Sequence, residues 1–189
     1  MISVKIMGRS GIDVFNLLVE MMELPITGKE FVRLLDEECE TIFSKPIPAL
    51  PGAVKLIQHL HKHNIPIAVA TSSKRPMFDM KRTHHQELFS LFNHFVLASE
   101  EPEISAGKPD PQIFLICASR FVSPPKHMSQ CLVFEDSVAG VESGLSAGAY
   151  TVWVPDIRMD RTLAKPHLIL DSLEYFKPQD FDLPPFADE

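Results

Sequence analysis

Between residues 12 and 22 the apolar positions Val14, Phe15, Leu17, Leu18, Met21 and Met22 recur at helical spacing, and Pro25 closes the run. This pattern predicts an amphipathic helix. A second helix follows, with Thr27 as its cap, Glu30 three residues later in the order of a capping box, and a stripe of Phe31, Leu34, Leu35, Cys39 and Phe43. Between residues 44 and 52, three prolines and a glycine break the periodicity and predict a linker. Two domains are expected, 1–50 and 51–189. From residue 51 onward the pattern alternates. Helices are expected at 53–63, 77–92, 111–121 and 138–147, and short apolar strands at 65–70, 95–98, 131–134, 150–154 and 167–170. Continuous apolar runs such as Ile67-Ala68-Val69-Ala70 and Leu132-Val133-Phe134 are those of strands buried on both faces, which predicts an α/β fold with a parallel, Rossmann-like sheet.

Composition narrows the class of function. With 45% hydrophobic and 23% charged residues over 189 positions, the chain is globular and large enough to bury a core without disulfides. Lys plus Arg total 18 against 25 Asp plus Glu, 18 − 25 = −7, which argues against a nucleic-acid partner and suits small-molecule metabolism. No apolar run is long enough to span a bilayer, so no membrane partner is expected. Cys39, Cys117 and Cys131 are odd in number and scattered, and two lie in apolar runs; they read as buried thiols in a reducing compartment, the cytoplasm by default.

In a parallel sheet, ligands gather outside the carboxyl ends of the strands, so the residues that follow each apolar run are the candidates. Thr71-Ser72-Ser73 after the first strand is a hydroxyl cluster able to hold an anion, or simply to cap the next helix. Lys108, fixed between Gly107 and Pro109 ahead of Asp110-Pro111, is a point charge suited to phosphate, or part of a polar loop. Glu135 and Asp136 end a buried strand as adjacent carboxylates, and Mg²⁺ between them would relieve their repulsion; an N-cap role for Asp136 or Ser137 competes. His59, His61 and His63 alternate along a helix, so only His59 and His63 share a face; they read as exposed, as do His84 and His85.

A hydroxyl after one strand, a lysine before a later helix and paired acids after the next strand resemble, in that order, the haloacid dehalogenase superfamily. Pro51-Gly52, Ala70-Thr71-Ser72-Ser73, Gly107-Lys108-Pro109-Asp110-Pro111, Phe134-Glu135-Asp136-Ser137, Gly140-Val141 and Ala147-Gly148 look most like its subgroup with a helical cap. Within that subgroup, His94-Phe95-Val96-Leu97, the run from Cys131 to Asp136, and Phe181-Asp182-Leu183-Pro184 are similar to animal pseudouridine 5′-phosphatases. The resemblance implies Mg²⁺-dependent hydrolysis of a small phosphate monoester. In it, Thr71 and Lys108 would act on the phosphoryl group, Ser72 and Ser73 would bind substrate, Glu135 and Asp136 would hold Mg²⁺, and Arg9 would be a basic contact from a partial cap.

One part of the family pattern is missing. The superfamily's first motif is an Asp-x-Asp on a central first strand, whose leading aspartate is the nucleophile, and no such motif precedes the cap. The sequence contains Asp-x-Asp once, at Asp180-Phe181-Asp182, between Pro178 and Pro184 and without a preceding strand. The expectation is therefore a sheet that lacks its central strand, with edges after 65–70 and 131–134 facing a gap. Each buried backbone group left unpaired there costs about 1–3 kcal/mol. The alternative to an active phosphatase is a truncated, catalytically inactive form that retains phosphate or partner binding.

Overall fold

The computed structural model describes residues 12–187. The chain divides into two compact units, Met1–Ile47 and Pro48–Glu189. The first holds α1 (Ile12–Met21) and α2 (Gly28–Phe43). Thr27 caps α2 by accepting the Glu30 N–H at 3.2 Å. The Glu30 carboxylate does not complete the capping box, because Arg33 one turn on takes it in a charge-assisted pair. The two helices approach closely at Gly28, whose N–H donates to Asn16 Oδ1 at 3.1 Å and where a Cβ would overlap the Asn16 side chain.

The second unit runs α3 (Ala53–Lys62), β1 (Ala68–Thr71), α4 (Arg75–Thr83), α5 (Gln86–Phe89) and β2 (His94–Leu97). It continues with α6 (Gln112–Ser119), β3 (Leu132–Glu135), α7 (Val138–Ser146), β4 (Tyr150–Trp153) and β5 (Leu168–Ile169). Every pairing is parallel, as the apolar runs predict. The strands form two sheets, β1–β2 and β3–β4–β5, and among the described residues no strand lies between β1 and β3. The β1 ladder begins later than its apolar run because Asn93 stands in for a strand residue at Ile67: its Oδ1 accepts the Ile67 N–H, and its own N–H donates to the Ile67 carbonyl, both at 2.8 Å.

Apolar clusters cover both faces. On one, Val96, Val133, Ile113, Phe114 and Cys117 pack α6 against strands of both sheets. On the other, Leu56 and Leu60 of α3 meet Val152, Phe176 and Phe186. His59 belongs to this second cluster, which corrects the expectation of an exposed histidine. It is 9% exposed, its Nε2 lies 2.7 Å from the Pro184 carbonyl, and its ring lies 4.6 Å from that of Phe186. The region expected as one helix at 77–92 breaks after Thr83, and this lets Phe89 pack on both Phe78 and Phe95.

Asp180 and Phe181 lie in a 3₁₀ turn and Asp182 follows it with φ 56°, so this Asp-x-Asp is on no strand. The three cysteines are free; Cys117 is buried, which pushes its thiol up to about 12, whereas Cys39 and Cys131 are only half-buried, a correction to the expectation of buried thiols. No helix among the described residues is long and apolar enough to cross a membrane.

Gly52, at φ 81°, opens α3, and a Cβ there would run into the backbone of Leu173 and Glu174. Gly52→Ala combines the left-handed penalty with this collision, a cost of at least about 2 kcal/mol. The expected result is a melting temperature about 4–8 °C lower in a calorimetric scan.

Candidate active site

Thr71 is the last residue of β1, and its hydroxyl does not cap α4. Its Oγ1 accepts the Ser73 N–H at 3.1 Å, while Lys74 occupies the cap position without a side-chain bond. The Thr71 hydroxyl thus holds the turn through its acceptor side and keeps its hydrogen for another partner.

Lys108 enters from the loop before α6. Asp110 accepts the Gln112 N–H at 2.9 Å and so fixes the turn into that helix, whose cap position is Pro111, and the Ser143 hydroxyl of α7 donates to the Asp110 carbonyl at 2.7 Å. Anchored in this way, the loop places Lys108 Nζ against the edges of both sheets. It donates to the Ala70 carbonyl of β1 at 3.3 Å and to Glu135 Oε1 at the end of β3. The pair is buried, with side chains 14% and 8% exposed. Its hydrogen bond to Ala70 satisfies one carbonyl on an edge that no strand covers among the described residues. An ammonium has three donors; among the described residues two make hydrogen bonds, and Nζ also lies 4.8 Å from the centroid of the Phe114 ring.

The two acids that end β3 differ in environment. Ser137 caps α7, accepting the Gly140 N–H at 3.0 Å, and donates its own hydrogen to Glu135 Oε2 at 3.3 Å. The cap therefore falls to Ser137, which leaves the Asp136 carboxylate uncommitted. Gly140 leaves the space that the Glu135 carboxylate fills. Asp136 is exposed, and its backbone is fixed by the indole N–H of fully buried Trp153, which donates to its carbonyl at 3.0 Å.

One cleft of about 500 Å³ is lined by Thr71, Ser72, Ser73, Lys108, Glu135 and Asp136, together with the β1 and β3 edges. Arg9 lies outside the described residues. Lys81 of α4, which the sequence pattern did not single out, also reaches the cleft and donates to Ser73 Oγ at 3.1 Å. A basic residue two turns into the helix that follows a hydroxyl cluster was the available signal. Among the described residues no group of three or more metal-ligating side chains forms. The donor chemistry nevertheless fits Mg²⁺, which takes one or two carboxylates and completes its octahedron with water and phosphate oxygen. Asp136 can supply the carboxylate, whereas Glu135 is engaged by Lys108.

A parallel α/β core with a lysine and hydroxyls at the carboxyl ends of its strands defines the class of α/β proteins that gather ligands at strand ends. The chain belongs within it to the haloacid dehalogenase-like hydrolases, whose family model matches residues 12–148. A Drosophila melanogaster protein named "Probable pseudouridine-5'-phosphatase" is 43% identical, over 97% of this chain and 79% of its own length. The (DL)-glycerol-3-phosphatase 2 of Arabidopsis thaliana is 38% identical, over 97% and 77%. Among solved structures, a family IA, variant 3 hydrolase of Entamoeba histolytica superposes with a TM-score of 0.71 at 22% identity, over 94% of this chain and 79% of that one.

Proposed function

We propose that the cleft is the phosphoryl- and Mg²⁺-binding site for hydrolysis of a small, nucleotide-like phosphomonoester such as pseudouridine 5′-phosphate. The observation that carries this reading is the single cleft in which Lys108 faces the Thr71, Ser72 and Ser73 hydroxyls. The two relatives named as phosphatases support it. Lys108 neutralises phosphoryl oxygens, the hydroxyls donate to them, and Glu135 holds Lys108 in place. Asp136 is the residue to hold Mg²⁺, which when bound draws charge from the phosphoryl oxygens. Three free thiols support a reducing, cytoplasmic setting.

A second reading, binding without turnover, is favoured by the nucleophile inventory. Among the described residues Glu135, engaged by Lys108, and Asp136 are the carboxylates that line the cleft. Thr71 lacks a base, and an ammonium beside phosphate stays protonated. The expected result for the 189-residue chain is binding of inorganic phosphate in calorimetry, with no phosphate released from pseudouridine 5′-phosphate or an aryl phosphate above the buffer rate. Mg²⁺-dependent release abolished by Asp136→Ala would instead establish turnover. A chain that binds no phosphate would remove both readings.

A further inference from the structure

We propose that Lys81 is a positioning residue for this anion site, acting through Ser73; the inference rests on the phosphate-binding reading of the cleft. Helical side chains lean toward the amino end of their helix. From the last turn of α4, Lys81 reaches back to Ser73, eight residues earlier and just ahead of the helix, and donates to its Oγ at 3.1 Å. A hydroxyl has one hydrogen and two acceptor sites. With Lys81 on the acceptor side, the Ser73 hydrogen is turned away from the lysine, and it has no acceptor among the described residues. Thr71 is in the same condition, because the Ser73 N–H occupies its acceptor side.

The chain of bonds runs from Lys81 to the Ser73 hydroxyl, and from the Ser73 amide to the Thr71 hydroxyl. Each hydroxyl is thereby committed as a donor before an anion arrives. Without Lys81 the Ser73 rotor is free to point its lone pairs at the cleft, where they would repel a phosphoryl oxygen. Lys81 is exposed while Ser73 is half-buried, so the lysine can be replaced without opening the core. A purely structural lysine would act through the dipole of α4; that role would show in stability and leave phosphate affinity alone.

Calorimetric titration of the full chain with inorganic phosphate, at about 1 M ionic strength where charges beyond about 3 Å are screened, separates these roles. Lys81→Met and Ser73→Ala should each weaken phosphate binding about tenfold, the size of one hydrogen bond. The double variant should also be about tenfold weaker, since both changes act on the same Ser73 hydroxyl. Lys81→Arg, which keeps a charged donor, should stay within about threefold of the parent. Melting curves establish that each variant is folded. Unchanged affinity in Lys81→Met, a multiplied loss of about a hundredfold in the double variant, or an Lys81→Arg as weak as Lys81→Met would each overturn the inference while leaving the binding site intact. Failure of the parent chain to bind phosphate would overturn the proposed function, and the inference with it.

Discussion

Lys108→Ala should abolish measurable phosphate binding and also destabilise the core by about 3–5 kcal/mol. Both effects follow from the placement of Nζ between the Ala70 carbonyl and the Glu135 carboxylate. Removing the ammonium takes the central cation from the cleft and leaves a carboxylate only 8% exposed without its counter-charge. In the sequence alone, Lys108 reads as a point charge suited to phosphate or as part of a polar loop; its buried pairing with Glu135 is what the structure adds. The two effects separate in a double variant. Lys108→Met combined with Glu135→Gln removes the stranded charge, so denaturant midpoints should recover most of the lost stability while phosphate titration stays flat. A double variant that regains phosphate binding would show that the lysine is not the anion's partner.

Gly140→Ala should be almost as damaging, although it adds one methyl group to a residue outside the cleft lining. A Cβ there falls on the Glu135 carboxylate, which cannot swing aside freely because Ser137 holds Oε2 and Lys108 holds Oε1. Relief requires Glu135 to move, and Lys108 moves with it. Overpacking of this kind costs about 1–3 kcal/mol. The expected outcome is a lower urea midpoint together with phosphate affinity reduced about tenfold or more, the loss of one charge-assisted hydrogen bond. Normal affinity with lowered stability would mean that the Glu135–Lys108 geometry is not what positions the cation.

The sequence makes the parallel core legible because apolar runs such as Ile67-Ala68-Val69-Ala70 and Leu132-Val133-Phe134 are too short for helices and alternate with helical segments, the pattern of a parallel sheet. The residues after those runs are legible as a site for the same reason: topology puts strand ends together. What stays hidden is pairing at a distance. Glu135 and Asp136 look equivalent in the chain, and they diverge only because Lys108 arrives from 27 residues away and Gly140 leaves room for one of them. The His59-x-His61-x-His63 alternation describes a solvated helix face, yet His59 is covered by residues near Pro184. The break after Thr83 escapes a periodicity argument because the rings that favour it, Phe78, Phe89 and Phe95, come from three separate elements.

The bond between His59 and the Pro184 carbonyl spans 125 positions, and Phe176 and Phe186 close the cluster that begins at Leu56 and Leu60. On a ribosome adding about 5–20 residues per second, roughly 6–25 s pass between the synthesis of α3 and that of its cover. Through that interval Leu56 and Leu60 lack Phe176 and Phe186, the aromatic rings that complete their cluster. The core therefore closes late in synthesis, and the nascent chain shows chaperones an apolar surface that the finished protein does not display.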